Sequence, residues 1–270
     1  MPLLHIVVLA LVQGITEFLP ISSSGHLILV PALNGWADQG IVIDVAVHVG
    51  TLCAVAVYFW RDVAAMLNGL IRLVTNRPDA DSRLVLMVVV ATIPVVVAGF
   101  ILKTVFPEGI RSVIVIGWTT LLFGLVLYAC DRWGGIGRRI ADLGMPDAMV
   151  IGLAQMIALI PGTSRSGITM SAARALGFER VDAARFSLLL SMPTILGAGL
   201  LLGVDLFEDG NSGLTSDALL AGGLAFLAAL AAIALMMRWL RHATFTPFVV
   251  YRVFLGIALL VYAYGGFGPS

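Results

Sequence analysis

The stretch Gln13-Gly14-Ile15-Thr16-Glu17-Phe18-Leu19-Pro20-Ile21-Ser22-Ser23-Ser24-Gly25-His26-Leu27 decides how the rest of the chain is read. It interrupts an apolar run with a carboxylate, three hydroxyls and an imidazole. A charged side chain at bilayer depth costs about 2.5–3.5 kcal/mol on the mildest scale, so such residues are functional candidates by default. A shift of 142 positions brings up a second copy, in which Leu11, Gln13, Ile15, Ser22, Ser24 and Gly25 meet Leu153, Gln155, Ile157, Ser164, Ser166 and Gly167. The first copy holds Glu17 and His26; the second holds Arg165.

Working outward, the 270 residues are 60% hydrophobic and only 12% charged, with a mean hydropathy of +1.02. Soluble domains carry about 25% charged residues, so the composition is that of an integral membrane protein. A net charge of zero without a basic patch argues against nucleic acid as a partner. The first sixty residues contain no Lys or Arg, whereas a cleaved signal peptide has a positive start, so the N-terminus reads as mature structure. Cys53 and Cys130 fall in apolar segments without metal-ligand spacing and read as buried small hydrophobes.

Residues 2–19 and 26–33 are apolar arms around a Pro/Ser/Gly break, each too short to cross about 30 Å of hydrocarbon. They read as a re-entrant hairpin. Spans follow at 41–60, 84–102, with Pro94 as a kink, and 113–130. Between the first two lies a polar connection, 61–83, whose amphipathic start suits the membrane interface. Residues 131–144 form a Gly/Arg-rich loop between halves. The plan then repeats: a hairpin at 145–160 and 169–176 around Pro161-Gly162, and spans at 183–204, 218–239 and 247–264. Three crossings per half is an odd number, so the second half lies upside down relative to the first. The expected fold is all-α and polytopic, with six transmembrane helices and two re-entrant helical hairpins in an inverted-topology repeat. It forms a single membrane domain over 1–270, with halves of about 1–131 and 145–270.

Charge gives an independent check. On this path one side receives Arg61, Arg72, Arg77, Arg83, Arg132, Arg138, Arg139, Arg174, Arg180, Arg185, Arg238 and Arg241. The other receives Lys103, Arg111 and the acidic loop 205–217. Twelve against two makes the Arg-rich side cytoplasmic and puts both termini and the first hairpin's mouth outside.

Each turn precedes a short helix, whose unpaired N–H groups and dipole favour an anion. Arg165 adds the guanidinium fork suited to phosphate oxygens. If the hairpins meet tip to tip, phosphate or pyrophosphate fits the junction. Glu17 beside a phosphate calls for a cation as well, either Arg165 or Mg²⁺ or Ca²⁺ held by Glu17 and the amide oxygen of Gln13. Ser23 and His26 are three apart on one helical face, which lets the imidazole take a proton from Ser23 or from a water. The plainer alternatives are N-caps for the Ser/Gly turns and a buried ion pair between halves for Glu17 and Arg165. His5, His48 and His242 read as satisfied or interfacial. Asp44 and His48, four apart, either touch the site or form a structural pair. Arg252 reads as a snorkelling or paired residue.

The motifs Gln13-x-x-x-Glu17, Ser22-Ser23-Ser24-Gly25-His26 and Pro161-Gly162-Thr163-Ser164-Arg165-Ser166-Gly167-Ile168-Thr169 resemble those of the undecaprenyl pyrophosphate phosphatase family, the bacitracin-resistance type. The likeness covers essentially the whole length. It implies hydrolysis of undecaprenyl diphosphate to the monophosphate and inorganic phosphate, recycling the lipid carrier of cell-wall peptidoglycan synthesis. It also implies a divalent cation and an active site opening to the periplasmic face of the bacterial inner membrane. By resemblance, Glu17, Ser23, His26 and Arg165 match the catalytic positions. Ser22, Ser24, Ser164, Ser166 and Thr169 match phosphate-contacting ones. Gln13 departs from the many members that have Glu there, which removes one charge from the metal's ligands.

Partners are then the isoprenoid diphosphate and membrane lipids; a homodimer is compatible with the sequence, although no packing motif demands one. The competing class is a carrier or flippase, since inverted repeats with broken helices are also transporter features. Ser23 with His26 and an acid discriminates, because a carrier needs neither nucleophile nor base. The lipid phosphatases with a Lys-x6-Arg-Pro signature are excluded, because the only lysine, Lys103, lacks such a partner. Attack by Ser23 and attack by water both remain open.

Overall fold

The computed structural model describes residues 2–36, 40–77, 79–105, 112–208 and 216–265, with the side chains of 24, 28, 31–34 and 201–208 outside that description. Among these residues the chain is helical throughout: α1 (Leu3–Thr16), α2 (Ser23–Asn34), α3 (Ile41–Tyr58), α4 (Trp60–Val74), α5 (Ala80–Val105), α6 (Val113–Trp133), α7 (Met145–Met156), α8 (Arg165–Ala175), α9 (Arg180–Glu208), α10 (Ser216–Leu240) and α11 (Thr246–Tyr264). Six of them, α3, α5, α6, α9, α10 and α11, are long and apolar enough to cross a membrane. The chain is a multi-pass membrane protein. α1, α2, α7 and α8 have 11 to 14 residues, at most about 21 Å of helix at 1.5 Å per residue, too short to cross.

Helices of the two halves interleave. α3 packs most extensively on α10, α6 on α11, α1 on α10 and α5 on α7. Between helices surrounded by lipid, close packing drives association, and small residues permit it. A Cβ on Gly50 would come within 2.1 Å of the Gly222 carbonyl, and one on Gly152 within 2.6 Å of the Ala91 carbonyl. The largest buried cluster runs from Phe18 beside the first break to Leu188, Ile233 and Phe245.

α4 is the expected amphipathic segment, now a full helix. Leu67, Leu70, Ile71 and Val74 are exposed while Gly69 is buried against the start of α5, where Ser82 donates to its carbonyl at 3.1 Å. An ion pair from Arg185 to Asp62 ties α4 to α9. α5 passes through Pro94 as one continuous helix. Cys53, expected inside, is exposed on α3, which accords with its apolar neighbours facing lipid.

The expected loop 131–144 is more structured than its glycines suggest. α6 runs on through Trp133, so Asp131 and Arg132 belong to its last turn. Arg138 makes a fork to Asp147 at 2.9 and 2.6 Å, donates to the Leu176 carbonyl and lies 4.4 Å from the Phe178 ring centroid. Arg174, which the sequence places on the Arg-rich surface, is fully buried and paired with Asp131 at 2.9 Å. Arg111 and most of the acidic loop lie outside the described residues.

The Arg138 fork holds the Asp147 carboxyl below the ordinary Asp range, helped by the Gly144 N–H. A lowered folded pKa contributes stability that is present above the unfolded value of about 4 and is lost as pH falls through the folded value. Asp147→Asn should therefore lower the melting midpoint at pH 7, and the gap to the unaltered protein should close below about pH 4. Melts across that range check this; a gap independent of pH would refute it.

Candidate active site

The two helix breaks are brought together. α1 ends at Glu17, Pro20 and Ile21 carry the chain across, and α2 starts at Ser23; the second break runs from a 3-10 turn at 157–159 through Pro161-Gly162 into α8. Ser22 and Ser164 occupy equivalent positions and both have left-handed backbone, φ 74° and 71°. Each caps the helix that follows: Ser22 Oγ accepts from Gly25 N at 3.4 Å and Ser164 Oγ from Gly167 N at 3.1 Å. Gly162 combines φ 89° with a wall in the Cβ direction, Thr119 Oγ1 at 2.1 Å, so only glycine fits there.

Glu17, buried at the end of α1, is the centre. Oε1 accepts from Arg165 Nη2 at 2.9 Å across the junction. Oε2 accepts from Gln13 Nε2 at 2.8 Å and from Ser23 Oγ at 2.7 Å. Arg165 keeps Nη1 buried without a partner, and so do Gln13 its Oε1 and Thr163 its Oγ1. These three polar atoms, on α1 and the second break, are open to a ligand or to water. Among the described residues no group of three His, Cys, Asp or Glu could hold a metal by itself.

His26 is near but differently engaged from the sequence expectation. Ser23, which shares its helical face, donates its hydrogen bond to Glu17 rather than to the imidazole. The reason is reach: α1's last turn brings the carboxylate under the first residue of α2. His26 Nδ1 lies 2.6 Å from the Ser22 carbonyl, which can only accept, so the proton sits on Nδ1. Nε2 then accepts from Tyr251 Oη at 2.5 Å, and the two rings stack.

The remaining expected positions divide. Ser166 Oγ lies 3.2 Å from Ser164 Oγ and donates to the Leu19 carbonyl at 2.9 Å, a direct stitch between breaks. Thr169 turns away, donating to the Arg165 carbonyl and meeting Ser187 Oγ at 2.7 Å, which fastens α8 to α9. Ser24 lies in the first turn of α2, its side chain outside the described residues. His48 Nδ1 donates to the Asp44 carbonyl at 2.7 Å, and its ring lies within electrostatic reach of Glu17. His5, in the first turns of α1, stacks on Trp36 just past the end of α2.

Arg252 is corrected outright. It does not snorkel, and among the described residues no acid pairs with it: it is fully buried in α11, with its hydrogen bonds on main-chain carbonyls of both breaks and of α6. Tyr251 and Arg252 are the site residues that sequence reasoning missed. The available signal was a tyrosine–arginine pair inside an otherwise apolar span.

The profile of bacitracin resistance protein BacA matches residues 6–258. The chain belongs to the BacA family. Curated BacA-type relatives carry the name undecaprenyl-diphosphatase. That of Ruegeria sp. (strain TM1040) is 56% identical over 267 residues, covering 98% of this chain and 100% of the relative. That of Roseobacter denitrificans is 54% identical over 266 residues, with 98% and 100% covered. A more divergent one, from Hahella chejuensis, is 50% identical over 262 residues, with 97% and 98% covered. BacA membership thus spans both breaks and all six long helices.

Proposed function

We propose that the chain is an undecaprenyl-diphosphatase, releasing inorganic phosphate from undecaprenyl diphosphate and leaving the monophosphate. One observation carries the mechanism: a serine hydroxyl and a guanidinium from residues 142 positions apart share one buried carboxylate. Ser23 Oγ loses its proton to Glu17 and attacks the outer phosphorus. The bond from that phosphorus to the bridging oxygen breaks, and the lipid monophosphate leaves. Water then opens the phosphoserine to inorganic phosphate. A water held by Glu17 reaches the same products in one step. Both routes gather charge on oxygens facing Arg165 Nη1, Thr163 and the N-termini of α2 and α8. Glu17 gives the Ser23 proton to the departing monophosphate oxygen, and the unprotonated Nε2 of His26, beside Tyr251, takes a proton from the attacking water and returns it to Ser23 Oγ as the phosphoserine opens.

Gln13 Oε1, buried without a donor, and Glu17 fit a hard divalent cation, Mg²⁺ or Ca²⁺, as amide and carboxylate ligands. When bound, such a cation would neutralise charge on the diphosphate. With Gln at position 13, one carboxylate rather than two faces that cation.

The short arms, the matched serines and the exchange of partners between halves (α1 on α10, α7 on α5) support two re-entrant hairpins in an inverted repeat. The arginine bias supports a cytoplasmic Arg-rich face, both termini outside and a site opening to the periplasm. Purified protein in detergent with undecaprenyl diphosphate and Mg²⁺ should release phosphate, and Ser23→Ala or His26→Ala should lower the rate by about 10²–10⁴-fold. Lipid crossing a liposome membrane without phosphate release would assign a carrier instead.

A further inference from the structure

We infer that Arg252 is a positioning residue that sets the gap between the two helix breaks, and so places Arg165 and Ser23 against one head group. This rests on the hydrolase reading above. Arg252 lies one helix away from both motifs, yet its guanidinium reaches three elements. Nη1 donates to the Pro20 carbonyl of the first break at 3.2 Å. Nη2 donates to Gly162 and Thr163 of the second at 3.1 and 2.9 Å, and more weakly to Thr119 at 3.4 Å. Nε donates to the Thr120 carbonyl of α6 at 3.1 Å. The side chain is fully buried, and no carboxylate pairs with it among the described residues.

The geometry explains why an arginine stands here. Both breaks expose main-chain carbonyls that cannot bond within their own helices, and bilayer depth offers no bulk water to satisfy them. A planar fork with five N–H donors serves carbonyls on three sides at once; an ammonium on a single atom cannot. Each break carbonyl held is within three residues of a group at the site: Pro20 of Glu17 and Ser23, Gly162 and Thr163 of Arg165. The clamp also leaves little slack. A Cβ on Gly167, in the first turn of α8, would stand 3.1 Å from both Arg252 Nη1 and Ser164 Oγ.

The test compares Arg252→Lys with Arg252→Gln, measuring phosphate release per folded molecule, with folding followed by size exclusion and thermal melts. Displacement of reacting groups by about 1 Å costs about 10²-fold in turnover, so kcat should fall by that order in both variants. The KM for the lipid diphosphate should stay within about threefold, because tail binding is untouched. Equal losses in Lys and Gln identify the fork, not the charge. Near-normal kcat in folded Arg252→Lys overturns the inference, as does a KM rise with kcat unchanged. Should Arg252→Lys not fold, Gly124→Ala decides. Its Cβ would press on Arg252 Cβ at 3.0 Å from α6 without touching either break. A kcat lowered by roughly tenfold supports the clamp, and normal turnover in folded Gly124→Ala refutes it. A wild type that releases no phosphate overturns the hydrolase reading itself and this role with it. Where the wild type does release phosphate, the variants bear on Arg252 alone.

Discussion

Arg165→Ala is expected to reduce kcat/KM by about 10³–10⁵-fold, the range over which a transition-state arginine acts in phosphoryl transfer. The side chain is largely buried, one nitrogen bonds Glu17, and the other has no protein partner. That leaves Nη1 as the donor available to a phosphate oxygen. Among the described residues no nearby cation can replace it: Arg252 is committed to carbonyls, and Lys103 lies in the last turn of α5. Arg165→Lys keeps the charge but loses the fork, so it should recover only part of the loss. Phosphate-release kinetics with melts on the same preparations check both. Activity within tenfold of the unaltered protein for Arg165→Ala would mean that the two breaks do not serve one head group.

Asp131→Ala should have the largest effect on stability, about 3–5 kcal/mol, because removing one partner of a buried pair strands the other. Asp131 Oδ1 accepts from Arg174 at 2.9 Å and from Arg180 at 2.7 Å; Oδ2 accepts from the Phe245 N–H at 3.2 Å. One carboxylate thus joins the ends of α6 and α8 to the starts of α9 and α11. Arg174, without exposed surface, would keep only carbonyl partners for its charge. For a chain of this size such a loss corresponds to roughly 6–20 °C in the melting midpoint. Arg139→Ala, which removes the exposed contact to Glu179 at 3.4 Å, is the control and should cost about 1 kcal/mol or less. Equal shifts in the two variants would show that the buried cluster carries no special weight.

How much of this was readable beforehand follows from what each signal encodes. Hydrophobic length determines spans almost alone, which is why the six long helices and the four short ones fall where the apolar runs place them. The duplicated serines pointed to Glu17 and Arg165 as partners, since the repeat related two breaks whose charges complement each other. Side-chain direction is another matter. Ser23 and His26 share a helical face at i and i+3, but a carboxylate one turn below Ser23 competes better for its proton, and spacing does not contain that third partner. Arg252 shows the same gap: an arginine near the end of an apolar span has the same local sequence whether it reaches for the surface or lies buried among carbonyls. Asp131 needed tertiary contacts with Arg174 and Arg180, 43 and 49 positions away, before a loop residue became an anchor.

The left-handed twist of Ser22 and Ser164 has a cost that glycine would escape. An L-residue at such a positive φ loses roughly 1–3 kcal/mol, whereas trading a serine cap for glycine forfeits only a few tenths. Two substitutions would thus yield a hardier chain, yet both places keep their hydroxyls. Durability is given up at the very joints where the two breaks meet, and a search for heat-resistant variants would be drawn to glycine at both.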